Sequence, residues 1–303
     1  MSRHVAVLMG GWSAEREVSL VTGAACAQAL RDGGYRVSEI DADRALARRL
    51  AETSPDVVFN ALHGPFGEDG CVQGLLELLA LPYTHSGVRA SALAMYKPTA
   101  RQLFETVGIP CPTGVVSSVD AVRAGDPLAR PYVVKPVAEG STCGVRVVEA
   151  GDNRSPIGDD WDYGDEVLAE SFVPGRELSI AVMDGRALGV VEIRAHSGFY
   201  DYEAKYTDGK ATHFMPAPIH EDAYAEAMRL SELAHAVLGC SGVSRADMRY
   251  DDTDGEPGRL FMLEVNTQPG MTPLSLVPEI AAHQGISFQE LVCWLVEDAG
   301  CQR

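Results

Sequence analysis

The residues that most directly suggest chemistry lie near the C-terminus. In the run Leu260-Phe261-Met262-Leu263-Glu264-Val265-Asn266, strand alternation puts Phe261, Leu263 and Val265 on one face and Glu264 and Asn266 on the other. The preceding strand carries Arg245 and Asp247, two apart and hence on one face. If these strands pair antiparallel, Asp247, Glu264 and Asn266 converge. Three oxygen-bearing side chains without Cys or His select a hard cation, Mg²⁺ or Mn²⁺, rather than zinc. Arg245 beside them suits an oxyanion or a phosphoryl group. The competing reading is a solvated outer face with cross-strand ion pairs, and the pattern alone leaves both open. The following loop, 267–278, is rich in turn formers and leads into a helix. Gly270 permits close backbone approach, and Ser275 and its neighbours suit the N-cap of a helix whose N–H groups bind a carboxylate.

Other polar constellations stand earlier in the chain. The loop Gly10-Gly11-Trp12-Ser13-Ala14-Glu15-Arg16-Glu17 follows a strand and opens a helix, where backbone N–H groups can bind an anion. It is neither Gly-x-Gly-x-x-Gly nor a Walker A loop, which disfavours a dinucleotide oxidoreductase. Glu15 can pair with a cationic group there, against the plainer reading of a carboxylate that caps the helix dipole. In the loop 63–70, Glu68 and Asp69 read first as acids capping the next helix, and His63 is undecided. Lys135 ends an apolar strand and faces a small-residue loop with Glu139, Gly140, Ser141 and Gly144, the composition of a phosphate clamp; the alternative is a snorkelling surface lysine.

These groups need elements to hold them. Strands at His4–Leu8, Tyr35–Ile40 and Asp56–Asn60 alternate with helices at Val18–Leu30, Ala45–Ala51 and Val72–Leu79, which predicts a parallel sheet with ligands at the carboxyl ends of its strands. The pattern changes near residue 92. A helix over Lys97–Val107 precedes strands at Thr113–Val116, Tyr132–Lys135 and Glu166–Glu170. The strands Glu177–Met183 and Leu188–Ile193 form a hairpin joined at Asp184-Gly185. Residues 196–213 read as a long polar-aromatic loop, a length uncommon without function. A helix over Ala223–Leu238, strands at Ser244–Tyr250 and Arg259–Val265, and a last helix over Phe288–Glu297 complete the pattern.

The 303 residues allow two or three domains. A net charge of −18 argues against nucleic acid as a partner, since no positive excess exists to neutralise phosphates. No apolar run reaches the length of a bilayer span, and the apolar start of the chain, ending at Gly10-Gly11, reads as a strand rather than a signal peptide. Seven scattered cysteines, an odd number without Cys-x-x-Cys, argue against a disulfide framework and a zinc knuckle, so a reducing cytoplasm is the expected location.

The segments GGWSAEREVSL (10–20), HGPFGEDG (63–70), VVKPVAEGSTCGV (133–145), FYDYEAKY (199–206), SRADM (244–248) and LEVNTQPGMTPLSLVP (263–278) together resemble D-alanine–D-alanine ligases, ATP-grasp enzymes of peptidoglycan precursor synthesis. The resemblance spans essentially the whole chain. It implies an α/β ATP-grasp fold of three α/β domains, here bounded at 1–92, 93–175 and 176–303, the first with a parallel sheet. ATP and D-alanine are the implied substrates, Mg²⁺ or Mn²⁺ the ions (two of them), and a homodimer the implied assembly.

The resemblance also implies roles residue by residue. Lys97 and Lys135 hold phosphates, with Glu139 in the same nucleotide site. The stretch Glu170-Ser171-Phe172-Val173 is the hinge that reads the adenine edge, and Glu177 takes the ribose. Asp247, Glu264 and Asn266 match the metal ligands. Glu15 and His63 match the pocket for the first D-alanine, and Ser275 and Leu276 the site for the carboxylate of the second. Arg245 and the Gly270 N–H match oxyanion stabilisers. In the 196–213 loop, Lys205 reaches the γ-phosphate and Tyr206 bonds toward Ser141 and Glu15; a Tyr at 206 favours D-alanine over D-lactate as acceptor.

Departures from the family pattern are Trp12, where a smaller residue is usual, and Gly-Ser-Thr-Cys-Gly in the phosphate loop, which adds Cys143. Two rivals share part of this pattern. Another ATP-grasp carboxylate–amine ligase would keep the metal and nucleotide residues but differ at Glu15, Tyr206 and the Ser275 loop. A regulatory protein without turnover would not need Arg245, Asp247, Glu264 and Asn266 together.

Overall fold

The computed structural model describes residues 2–140, 142–152, 155–196, 210–272 and 275–303. The first part alternates β1 (His4–Met9), α1 (Arg16–Asp32), β2 (Arg36–Asp41), α2 (Leu46–Thr53), β3 (Val57–Asn60), α3 (Cys71–Leu78) and α4 (Val88–Met95). Its three strands are parallel in the order β2-β1-β3. Every residue of β1 is buried, because helices cover both faces of a central parallel strand, and this is why its sequence is a continuous apolar run. α1 buries Val18, Thr22, Cys26 and Leu30 along one stripe. Gly10, at φ +74°, turns the chain off the end of β1, and a Cβ there would stand 2.2 Å from Asp41 Oδ1.

The chain continues through α5 (Lys97–Thr106), β4 (Gly114–Ser118), α6 (Val119–Ala124), β5 (Tyr132–Pro136), β6 (Arg146–Val148) and β7 (Glu166–Ser171). These strands form an antiparallel sheet in the order β4-β7-β5-β6. Then come β8 (Arg176–Met183), β9 (Arg186–Ala195), β10 (Ala211–Phe214), α7 (Glu221–Leu238), β11 (Val243–Asp251), β12 (Arg259–Asn266), α8 (Leu276–His283) and α9 (Phe288–Asp298). The second antiparallel sheet runs β10-β9-β8-β11-β12.

The β8–β9 hairpin turns at Asp184 and Gly185, both at positive φ as a two-residue type I′ turn requires. Two cores flank the five-stranded sheet. One gathers Ile180, Met248, Met262 and Val265 against α5 and α7. The other joins α8 and α9 to β1 and α1 through Leu291, Val292, Cys26 and Val5, so the C-terminal helices close onto the parallel sheet.

Four elements depart from the sequence reading. α4, α6 and β6 are short pieces that a periodicity argument does not see. β10 begins within the stretch read as a loop and ends one residue beyond it; its Ala-Thr-His-Phe run becomes a strand because it pairs with Glu192–Ala195 of β9. All seven cysteines are free thiols. Among the described residues no helix is long and apolar enough to cross a membrane.

Candidate active site

A cleft opens between the two antiparallel sheets. β11 turns Arg245, Asp247 and Arg249 toward it and buries Ala246, Met248 and Tyr250 behind. β12 lies antiparallel beside β11, with Asp247 opposite Glu264 and Arg245 opposite Asn266. The side chains of Arg245, Asp247 and Glu264 are only 14–22% exposed, so a solvated outer face is ruled out.

The expected facing of β12 needs correction. Met248 pairs with Met262 while its neighbour Asp247 pairs with Glu264, which leaves Leu263 as the extra residue of a β-bulge. Met262 and Val265 therefore both reach the core, although three positions apart, and Leu263 joins Glu264 in lining the cleft. Phe261, Leu263 and Val265 do not share a face, because one inserted residue reverses the alternation beyond it.

Asn266 Nδ2 donates to Asp247 Oδ2 at 3.0 Å, which leaves its Oδ1 for a ligand. Ser179 Oγ donates to Asp247 Oδ1 at 2.6 Å. Among the described residues no group of three or more His, Cys, Asp or Glu side chains is arranged as a metal site. The donor set here is instead two carboxylates and one carboxamide, all oxygen, and it fits a hard divalent cation. Local cations balance the carboxylates: Arg245 forks onto Asp247 at 2.8–3.2 Å, and Lys97 Nζ lies 3.1 Å from Glu264 Oε2.

Lys97 begins α5, and its Nζ also donates to the Glu139 carbonyl at 2.6 Å, tying the loop after β5 to the helix. Lys135 is buried, not snorkelling: its Nζ meets Glu170 Oε2 at 2.5 Å. Glu170 also accepts from Arg101 at 2.6 Å. The Glu170 side chain thus faces inward as a counter-ion for two cations. Phe172, Val173, Glu177 and Glu139 line the same cleft as Lys97 and Lys135. Burial, with the charge of Glu15 second, raises the Glu139 carboxyl.

Glu15 occupies the N-cap position of α1 but its side chain makes no cap hydrogen bond. It is buried, and a Cβ on Gly140 would stand 3.1 Å from its Oε2 and 3.3 Å from Glu68 Oε1. The loop after β5 therefore packs, at Gly140, onto two adjacent carboxylates carried by the parallel-sheet loops. Glu68 is not a helix cap. It accepts the Gly64 N–H at 3.0 Å, and burial, then the Glu15 charge, pushes its carboxyl up to about 8. Asp69 stands one residue before the Gly70 N-cap of α3 and accepts from the Phe66 and Cys71 amides, while Gln73 accepts the Gly70 amide. His63 is buried with Nε2 3.2 Å from Thr22 Oγ1, and burial holds its ring down to about 4, hence neutral near pH 7.

Residues 117–297 match the family described as D-ala D-ala ligase C-terminus, and residues 42–86 match D-ala D-ala ligase N-terminus. The chain belongs to the D-alanine–D-alanine ligase family. A D-alanine–D-alanine ligase of Paramagnetospirillum magneticum is 61% identical over 99% of this chain and 100% of its own. That of Parvibaculum lavamentivorans is 58% identical over 100% and 99%. Among solved structures, the Bacillus anthracis D-alanine–D-alanine ligase complexed with ATP superposes with a TM-score of 0.82 at 27% identity, covering 98% of this chain and 97% of the other. The VanG D-Ala:D-Ser ligase of Enterococcus faecalis gives 0.80 at 29%, covering 98% and 99%. The paired antiparallel sheets are thus those of the ATP-grasp fold.

Ser275 is the N-cap residue of α8, but its hydroxyl turns back to the Thr272 amide at 3.0 Å. Gly270 is seated against it: a Cβ there would lie 3.0 Å from Ser275 Oγ. Leu276 is buried in the core, so its side chain is not presented to a ligand. Ser141, Lys205 and Tyr206 lie outside the described residues.

Sequence reasoning missed Arg101, Ser179 and a buried amide network. Asn60 Nδ2 donates to Gln268 Oε1 at 2.6 Å and to the Gly67 carbonyl at 2.9 Å, and Gln73 Nε2 donates to the same carbonyl at 3.0 Å. Gln268 Nε2 also donates to the Leu62 carbonyl. This network clips the His63 loop to the Gly270 loop. An Asn ending a buried strand was the one available signal.

Proposed function

We propose that this member of the family joins two D-alanines at the expense of ATP, in the service of peptidoglycan precursor synthesis. The observation that carries the reading is the gathering of Lys97, Lys135, Asp247, Glu264 and Asn266 around one cleft whose loop at Gly140 abuts Glu15 and Glu68. Cations for a polyphosphate and carboxylates for an amino acid's ammonium thus meet in one place.

The chemistry follows from what a carboxylate lacks. Its leaving group would be oxide, so the γ-phosphoryl of ATP is first moved to a carboxylate oxygen of the first D-alanine. A P–O bond forms as ADP leaves. The free amine of the second D-alanine then attacks the acyl carbon, and the tetrahedral oxyanion collapses with loss of phosphate and the amine's proton.

We assign the roles as follows. Glu15, with Glu68 beside it, receives the ammonium of the first D-alanine, and neutral His63 floors that pocket. Lys97 and Lys135 neutralise phosphate oxygens. Ser171, Phe172 and Val173 present the hinge backbone to the base, Glu177 takes the ribose, and Glu139 borders the phosphates. Arg245 and the Gly270 N–H stabilise the oxyanion, while Ser275 and the Leu276 N–H take the acceptor's carboxylate at the start of α8. Ser141, Lys205 and Tyr206 complete the closed site. A divalent cation, Mg²⁺ or Mn²⁺, held by Asp247, Glu264 and Asn266 would supply charge neutralisation at the transferring phosphoryl group.

The division into 1–92, 93–175 and 176–303 is part of this proposal, the first unit binding the amino acid and the other two closing on ATP. So are a cytoplasmic location, supported by the free cysteines, and a homodimer, supported by the family resemblance. A solved relative that is a D-Ala:D-Ser ligase superposes nearly as well as one that is a D-alanine–D-alanine ligase, so backbone fold does not choose the acceptor. The test is Mg²⁺-dependent phosphate release with D-alanine, L-alanine, D-alanine plus D-serine, or D-alanine plus D-lactate, with products identified by mass. D-alanyl-D-alanine alone is the expected product. A mixed product would overturn the acceptor assignment, and no release from folded, ATP-binding protein would overturn the ligase reading.

A further inference from the structure

The hinge between the two sheets that flank the cleft is Phe172-Val173-Pro174-Gly175, running from the end of β7 to the start of β8. Pro174 has no N–H, and neither Val173 nor Gly175 is in a strand, so these carbonyls need donors from elsewhere. One side chain supplies them. Arg249 Nε donates to the Val173 carbonyl at 3.2 Å, and a terminal nitrogen donates to the Gly175 carbonyl at 2.7 Å. The other terminal nitrogen stands 3.8 Å from Glu177 Oε2, directly across the β8–β11 ladder. Gly175 is held close by the same strand: a Cβ on it would stand 2.2 Å from the Tyr250 carbonyl.

The Val173 N–H, by contrast, donates to no backbone carbonyl among the described residues, and Val173 lines the cleft. The carbonyl of this residue is clamped, and the residue lines the cleft. Resting on the nucleotide-cleft reading above, we propose that Arg249 is a positioning residue for nucleotide recognition: its guanidinium fixes the hinge so that the Val173 N–H meets the base, and holds Glu177 at the ribose. A planar fork with donors in fixed directions suits two carbonyls and one carboxylate at once, and an ammonium does not. The strand spacing that puts Arg245 and Asp247 at the phosphate end puts Arg249 at the base end of the same face.

The test uses full-length protein and two variants. Arg249→Met keeps the stem and loses every donor; Arg249→Lys keeps charge and stem but serves one carbonyl at a time. For Arg249→Met the expected result is a rise of about tenfold or more in KM for ATP, with kcat at saturating ATP and KM for D-alanine within about twofold. Discrimination of ATP against GTP and against 2′-deoxy-ATP is expected to narrow, since both base and ribose contacts loosen. Arg249→Lys should fall between. An unchanged KM for ATP in either folded variant overturns the proposal, as does an equal rise in both substrates' KM, which marks general damage. Calorimetric ATP binding to wild type and variants separates the two readings. Wild type that binds ATP but forms no product removes the ligase assignment, while a weaker ATP affinity in Arg249→Met still upholds the hinge assignment and an equal one removes it.

Discussion

Lys97, the first residue of α5, lies 3.1 Å from Glu264 Oε2 on β12, a contact between segments separated by most of the chain. The lysine and its carboxylate neutralise each other beside Asp247, and in the proposed complex each has a stronger partner: phosphate for one, a divalent cation for the other. Removing either acid should therefore show first as a metal effect. Asp247→Asn and Glu264→Gln are expected to lower Mg²⁺-dependent turnover by about 100-fold or more, with much of the loss recovered at high Mg²⁺. A magnesium titration of phosphate release checks this, and an unaltered magnesium requirement would remove both residues from the metal set.

Glu170 joins Arg101 and Lys135 through oxygens that are almost wholly buried. Neutralising the acid strands two cations in a medium that cannot solvate them. Glu170→Gln should destabilise the protein by about 3–5 kcal/mol and raise KM for ATP, because Lys135 loses its anchor. Urea unfolding and ATP kinetics read the two consequences. Stability within about 1 kcal/mol of wild type would show that the cluster contributes little beyond its own desolvation.

The raised Glu68 carboxyl has a pH signature. A folded-state value pushed up to about 8, against an ordinary 4.5, means that the folded protein holds a proton the unfolded chain has released. That stability is fully present below about pH 4.5 and is lost as pH rises toward 8. Glu68→Gln mimics the protonated form, so its melting temperature should gain on wild type between pH 5.5 and 8.5. Binding of D-alanine's ammonium favours the carboxylate, so D-alanine binding at pH 7 should release a proton, seen by calorimetry in buffers of different ionisation enthalpy. Parallel melting curves with no proton release would place Glu68 outside the ammonium pocket.

His63 and His85 behave oppositely. Burial lowers them to about 4 and about 3, so both are neutral in the fold while their unfolded counterparts charge near pH 6.5. Stability is complete above 6.5 and falls as pH drops toward those values, by about 1.4 kcal/mol per pH unit per histidine. His63→Gln should remove one histidine's share of that fall, about 1.4 kcal/mol per pH unit between pH 6.5 and 4.5, measured by urea unfolding against wild type. An unaltered slope would mean that the ring is charged in the fold.

Much of this protein is legible from local pattern. A continuous apolar run gives β1, the period-3.6 pattern gives α1 and α7 nearly to their ends, and Asp184-Gly185 gives its hairpin, because these depend on neighbours a few residues away. The two-residue spacing of Arg245 and Asp247, and of Glu264 and Asn266, suffices to group the metal-site candidates once antiparallel pairing is granted. Ordered segments such as HGPFGEDG and LEVNTQPGMTPLSLVP carry the family.

Only the tertiary structure decided which way the ambiguous charges turn. Glu15 and Asp69 both stand at the entry to a helix, yet only Asp69 turns its carboxylate to a first-turn amide, since Glu15 is buried where Gly140 of a distant loop packs on it. The bulge at Leu263 depends on the register of two strands, and alternation within one strand carries no trace of it. Arg101 with Glu170, Asn60 with Gln268, and Arg249 with the hinge are contacts made across 69, 208 and up to 76 residues. Burial makes such polar partners obligatory, but which partner meets which is settled by how the sheets are stacked, and no short stretch of sequence contains that information.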